Sequence, residues 1–103
     1  MFLIFDTETT GLPKDFSAPI SDVENWPRCI QLAWQLHDFN GDLIEIKNYI
    51  IYPEGFSIPY NSQKIHGIST EKAKIEGHPI KTVLGEFNNA LSKSQYIVGH
   101  NIS

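Results

Sequence analysis

Two acidic residues near the N-terminus, Asp6 and Glu8, are separated by a single residue. On a β-strand, residues two apart point to the same face, so the two carboxylates would lie side by side. Two carboxylates this close repel each other, and a divalent cation between them removes the conflict. Mg²⁺ takes oxygen ligands and keeps several waters, which leaves room for a phosphate. The plain alternative is a strand end whose acids simply face water.

The residues on either side of the acid pair favour a ligand site. Residues 2–5 (Phe-Leu-Ile-Phe) are apolar without alternation, which is typical of a central strand buried on both faces. After the pair, Thr9 and Thr10 offer hydroxyl groups, and Gly11 lets the backbone approach a ligand closely. The pattern therefore predicts a site at the C-terminal end of the first strand.

Two further strands are predicted in the first half of the chain. Residues 29–36 and 43–52 are strand-like, and Asn40-Gly41 lies between them. Asn-Gly between two such runs is a strong hairpin signal, because both central residues must tolerate positive φ. Residues 13–28 contain three prolines and are interpreted as a loop. These features predict an antiparallel meander of three strands.

The second half of the chain changes to a helical period. Residues 69–75 predict a short helix with Ser69 or Thr70 as N-cap and Gly77 as its stop signal. Residues 79–92 carry apolar side chains at helical spacing and predict an amphipathic helix. Residues 95–98 predict a fourth strand. A helical connection permits this strand to pair in parallel with the first.

Composition limits the class of protein. The chain has 103 residues, which suit one small domain, and a net charge of −4. A nucleic-acid binder that works by charge alone would usually be basic. The net charge of this chain therefore does not indicate binding of that kind. The single cysteine, Cys29, is interpreted as a buried free thiol and is consistent with a reducing compartment. The apolar N-terminal run is too short for a signal or a membrane span, so a cytoplasmic protein is expected.

Four segments resemble motifs of one enzyme family. The stretch Phe-Asp-Thr-Glu-Thr-Thr-Gly-Leu resembles the first motif of the DEDD (DnaQ-like) 3′–5′ exonucleases, which include the proofreading subunit of bacterial replicative DNA polymerases. The agreement extends, in the order of that family, to residues 27–34, 65–69 and 98–101. The resemblance covers nearly the whole chain.

This resemblance implies a fold, a cofactor and an incomplete site. The family has a ribonuclease H-like α/β fold, whose mixed sheet has three antiparallel strands first and a fourth strand parallel to the first. Four acids hold two Mg²⁺ or Mn²⁺ ions; here Asp6 would bridge both metals, and Glu8 would help bind the one that activates water. The other two acids and the general base fall beyond Ser103. Residues 1–103 are therefore expected to be the N-terminal part of a single exonuclease domain, inactive alone.

The resemblance also implies a substrate, the 3′ end of a nucleic acid, preferably single-stranded. The substrate-binding residues would be Thr9, Thr10, Gly11, Leu12 and His66. For Leu12 the alternatives are a wedge against the terminal bases and a core contact. For His66 they are a place near the scissile end and a cap on the loop before the next helix. The sequence leaves open whether DNA or RNA is cut, and whether the domain works beside a DNA polymerase.

Two rival interpretations differ in class. A strand ending in Asp-x-Asp-x-Thr marks the haloacid-dehalogenase phosphatases, but the second acid here is Glu8 and the later motifs have no place in that scheme. The other rival is a catalytically inactive remnant or partner-binding module, because half of the expected metal ligands are missing.

Overall fold

The computed structural model describes residues 1–11, 15, 17–19, 21 and 27–99 of the chain. These residues form seven elements in the order β1 (Phe2–Thr9), β2 (Cys29–His37), β3 (Leu43–Ile50), α1 (Tyr60–His66), α2 (Thr70–Glu76), α3 (Ile80–Lys93) and β4 (Tyr96–Gly99). The predicted loop over 13–28 lies mostly outside the described residues. In the part of the chain that is described, none of the helices is long and apolar enough to cross a bilayer.

The four strands form one mixed sheet in the order β3-β2-β1-β4. β1 pairs antiparallel with β2, where Phe5 lies opposite Trp34, and β2 pairs antiparallel with β3. β4 pairs in parallel with the other edge of β1, where Phe5 lies opposite Gly99. The predicted meander, the central position of β1 and the parallel pairing of the fourth strand are all confirmed.

One face of the sheet carries the main core. Leu3, Trp34 and Leu36 are buried there, and they pack with Val83 and Ala90 of α3. Because side chains alternate along a strand, Ile4 and Asp6 lie on the opposite face. Ile4 is 45% exposed on that face. The prediction that the first strand is buried on both faces is therefore wrong for the described residues, although the strand is central.

The two predicted helices are present with small shifts at their ends. Ser69 caps α2, where its hydroxyl accepts a hydrogen bond from the Lys72 N–H at 3.0 Å, and the helix ends at the C-cap Gly77. Pro79 is the residue before α3 rather than its first residue. The hairpin between β2 and β3 is also confirmed, but its loop spans five residues, 38–42, instead of two.

The helix α1 is absent from the sequence-based prediction. Its N-cap, Pro59, makes no side-chain hydrogen bond, and within the helix only Ser62 is buried. Tyr60 and Ile65 are 67% and 83% exposed. A helix that buries no apolar stripe lacks the periodic pattern from which helices are recognised, so α1 depends on contacts with the rest of the fold.

Candidate functional site

The acid pair lies in the second half of the central strand, as the sequence predicts. Asp6 is opposite Ala33 of β2 and Glu8 is opposite Gln31, so both acids occupy alternate positions on the same side of β1. Asp6 is exposed, whereas Glu8 is half-buried. The Asp6 carboxylate accepts a local hydrogen bond from the Thr7 N–H at 2.9 Å. Two oxygen donors therefore share the open face of the sheet.

A groove of about 600 Å³ extends from Asp6 across this open face. Apolar side chains from β1, β3 and β4 line it, among them Ile4, Ile46 and Val98. Within the described residues, no cluster of three or more acid, histidine or cysteine side chains could hold a metal ion. The described part of the site therefore contributes two carboxylates.

The strand pairing becomes irregular directly after the acids. Between Glu8 and Thr9 the register with β2 shifts, so that Thr9 lies opposite Cys29. Such irregularities bend a strand and often re-aim side chains beside functional sites. Cys29 is half-buried here, and burial raises the pKa of its thiol, which disfavours a reactive thiolate. The shift turns the chain into the loop that contains Thr10 and Gly11.

Hydrogen bonds hold the turn that follows the acids. The Thr9 hydroxyl donates to the Gly11 carbonyl at 3.1 Å, and the Thr10 hydroxyl accepts from the Arg28 N–H at 2.9 Å. Gly11 has a φ of +138°, a conformation that favours glycine. The two threonine hydroxyls therefore shape the turn in the present structure, and contact with a ligand stays a prediction for Thr9, Thr10 and Gly11. Leu12 lies outside the described residues.

The short helix α1 supports this turn from the other side. Ser62 is only 5% exposed, and its hydroxyl donates to the Thr10 carbonyl at 2.5 Å. His66 is four residues further along α1 and therefore lies on the same face of the helix as Ser62. The fold thus brings His66 to the side of α1 that faces the turn, which the sequence could only suggest by resemblance.

One nitrogen of the His66 ring is hydrogen-bonded to the backbone. Its Nδ1 accepts from the Ile68 N–H at 3.1 Å, so the ring closes the connection between α1 and α2. A neutral imidazole that accepts at Nδ1 carries its proton on Nε2. This Nε2 is shielded from solvent and has no hydrogen-bond partner among the described residues. The capping role proposed as one alternative is therefore present, whereas contact with a substrate stays a prediction.

The contact between Ser62 and Thr10 can be tested separately. We expect Ser62→Ala to lower the free energy of unfolding by about 1–2 kcal/mol, because it removes the donor to the half-buried Thr10 carbonyl. Urea denaturation of both proteins would measure the difference. The matched control is Ser57→Ala, since Ser57 is exposed and should be neutral. Equal midpoints for the parent and Ser62→Ala would show that this hydrogen bond does not anchor α1.

Comparison with known proteins finds a matching family model and several solved structures with a similar fold. A model of the family described as "Exonuclease" matches residues 3–103. Escherichia coli exonuclease I in complex with a dA16 oligonucleotide has a similar fold, with a TM-score of 0.73 and 20% identity over 97% of this chain and 20% of that chain. The E. coli enzyme with a dT13 oligonucleotide gives the same TM-score and coverage, with 21% identity.

A product-bound structure of exonuclease I has a TM-score of 0.74 and 20% identity, over 97% of this chain and 22% of that chain. The present chain thus spans about a fifth of the length of the solved structures that it resembles. The search of curated proteins finds no match.

Proposed function

Because this chain belongs to the exonuclease family whose model matches residues 3–103, we propose that it forms the N-terminal part of a single domain that removes nucleotides from the 3′ end of a nucleic acid. The observation that carries the proposal is the position of Asp6 and Glu8. Both lie on the open face of the central strand, next to a turn that is hydrogen-bonded to Arg28, directly before β2, and to Ser62 in α1. The match leaves no role for the phosphatase alternative.

The carboxylates of Asp6 and Glu8 are suitable ligands for a hard divalent cation. Exonucleases of this family generally use divalent metals, and two carboxylates on one face of a strand supply the oxygen ligands that Mg²⁺ or Mn²⁺ prefers. When bound, such ions activate the attacking water and stabilise the charge on the phosphate. In this chain Asp6 and Glu8 would hold them. Because the described residues supply only these two acids, the 103-residue chain alone is expected to release little or no nucleotide.

The turn and α1 would receive the end of the substrate. Gly11 is exposed, and a Cβ atom built on it meets no atom of the described residues within 4 Å, so this part of the chain leaves the backbone of the turn open to a ligand. In the proposal, Thr9, Thr10 and Gly11 line the pocket for the terminal nucleotide, Leu12 contacts its base and His66 lies behind the turn. Single strands are preferred, because splaying a terminal nucleotide out of a duplex costs a few kcal/mol.

Partners and location follow from the same proposal. The two exonuclease I structures with oligonucleotides contain dA16 and dT13, and for this chain we propose a single strand as substrate. The single half-buried cysteine is compatible with the reducing cytoplasm. Association with a DNA polymerase stays a prediction from the resemblance.

A labelled-strand assay tests the function. The natural polypeptide that contains these residues is incubated with a 5′-labelled single strand and Mg²⁺ or Mn²⁺. We expect a ladder of labelled products shortened from the 3′ end, and EDTA should stop its formation. A blocked 3′ end is the control, and an RNA strand of the same sequence tests the sugar preference. Immediate release of the labelled 5′ nucleotide, or no products at all, would contradict the proposal.

A further inference from the structure

The strand β3 forms one edge of the sheet, on the side away from β2. The sheet order is β3-β2-β1-β4, and among the described residues no strand pairs with this outer edge of β3. An unpaired strand edge is a template for pairing with another chain. We propose that the outer edge of β3 binds the same edge of a second copy of this protein, in an antiparallel pairing centred on Ile46 that joins the two sheets into one.

The backbone groups of Ile46 and Asn48 point away from β2. In an antiparallel ladder, the residues that bond to one neighbouring strand alternate with residues whose N–H and C=O groups face the other side. The Ile51 N–H donates to a β2 carbonyl at 2.7 Å, whereas the Ile50 carbonyl accepts from the His78 N–H at 2.8 Å on the outer side. Ile46 and Asn48 lie four and two residues before Ile50, and the register with β2 is regular over this stretch. Both therefore offer an N–H and a C=O group to a further strand.

The charges on β3 select the register of the proposed pairing. With the centre at Ile46, this residue lies opposite its own copy, and Glu45 lies opposite Lys47 of the second copy. Two-fold symmetry repeats the contact, because the same patch of both copies forms such an interface. A centre at Glu45 or at Lys47 would instead place two like charges directly opposite each other, which destabilises a sheet. The edge is therefore complementary to itself in the register centred on Ile46.

The two charged side chains are already ordered by contacts within their own chain. One carboxylate oxygen of Glu45 accepts from the Trp34 indole N–H at 2.9 Å, and Nζ of Lys47 lies 4.0 Å from a carboxylate oxygen of Glu86. A carboxylate has a second oxygen and an ammonium group has three N–H donors, so each keeps capacity for a further partner. Side chains that are already held in place lose less conformational entropy when they pair with a second copy.

Apolar side chains on the same edge give the pairing a further contribution. Ile44 and Ile46 are 52% and 59% exposed, and Ile46 lies on the open face of the sheet. In the proposed register Ile46 contacts its own copy, and Ile44 of the second copy lies diagonally beside it. The two-fold axis runs perpendicular to the sheet, so the open faces of both copies lie on the same side. The pairing therefore leaves Asp6 of each copy uncovered, and it goes beyond the proposed function without depending on it.

Sedimentation equilibrium of the natural polypeptide over a range of concentrations tests the pairing. We expect a dimer that dissociates on dilution, because a single pair of edge strands buries a small interface. Ile46→Lys should raise the dimer Kd by at least about tenfold, since two ammonium groups then lie opposite each other. The matched control is Ile75→Lys, because Ile75 is 83% exposed in α2 and lies outside the sheet. This control should dimerise as the parent does.

Mixing two charge variants tests the register itself. Glu45→Lys and Lys47→Glu should each raise the Kd of the homodimer by roughly tenfold, because each variant places like charges opposite each other. In an equal mixture of the two variants, every lysine at these positions lies opposite a glutamate of the other chain. We expect a heterodimer with a Kd close to that of the parent. Native mass spectrometry detects it when one variant is labelled with heavy nitrogen.

These measurements give molecular mass, so they are independent of nucleotide release. Thermal melting verifies that each variant keeps its fold, and Ile46→Lys leaves the contact between Glu45 and Trp34 intact. A parent that stays monomeric at about 1 mM, where even a millimolar Kd is visible, overturns the inference. So does a dimer that survives Ile46→Lys, or one that Ile75→Lys weakens equally. Failure of the mixed charge variants to form a heterodimer would overturn the register centred on Ile46.

Discussion

Changing Asp6 to alanine is expected to lower 3′-nucleotide release by at least about 100-fold, since even the outer partners of metal ligands typically contribute 10–100-fold. Asp6 is exposed, and its one described hydrogen bond is to the neighbouring Thr7 N–H. The substitution also relieves repulsion from Glu8. The melting temperature should therefore stay the same or rise slightly while activity is lost. The natural polypeptide is used for both measurements, with the 5′-labelled strand as substrate.

The matched control is Asp42→Ala. Asp42 is an exposed acid in the hairpin between β2 and β3, at the opposite end of the sheet from the turn. It should release nucleotides at the parental rate, so that a general effect of removing one negative charge is excluded. If Asp6→Ala cleaves as fast as the parent, the assignment of the acid pair fails.

Gly77→Ala is expected to destabilise the fold by about 3 kcal/mol or more, the upper range for overpacking. A Cβ atom on Gly77 would collide with the Ala73 carbonyl oxygen and would lie 2.6 Å from the Tyr52 nitrogen and 2.7 Å from its Cα. These are backbone atoms, which cannot turn aside as a side chain can. The backbone of Gly77 thus passes between the end of α2 and the chain after β3, where the Tyr52 N–H donates to the His78 carbonyl.

Gly85→Ala provides the control for this prediction. Gly85 lies within α3, and in the part of the chain that is described a Cβ atom there meets nothing within 4 Å. Alanine is the better helix former, so this variant should be more stable than the parent by about 0.5–1 kcal/mol. Urea denaturation of the three proteins would measure the differences. Equal urea midpoints for Gly77→Ala and the parent would show that the backbone at Gly77 can move away from Ala73 and Tyr52 at little cost in free energy.

Much of the fold could be predicted because its signals are local. The Asn-Gly sequence marks the hairpin, Ser69 and Gly77 delimit α2, and apolar spacing reveals α3. Each signal acts within a few residues, through the φ preference of one residue, one capping hydrogen bond or one helical period. The central place of β1 also follows, since its apolar run is not interrupted until Asp6.

Of the candidate site, the acid pair was predictable and its surroundings were not. Asp6 and Glu8 share a face because of strand geometry alone. The support of the turn by α1 depends on a hydrogen bond between Ser62 and Thr10, which are 52 residues apart. No local pattern encodes such a contact, so α1 and the direction in which His66 faces could not be predicted from periodicity.

Local patterns were enough to predict the three-strand meander, the capped helix α2, the amphipathic helix α3 and the pairing of two carboxylates, because turn signals, alternation, helical period and capping are properties of neighbouring residues. Packing of the whole chain sets which face of β1 stays open, why Gly77 has no side chain, and which residues hydrogen-bond to Thr10. Arg28 and Ser62 are distant in the chain, and both hydrogen-bond to Thr10. Long-range contacts of this kind arise only when the whole chain packs.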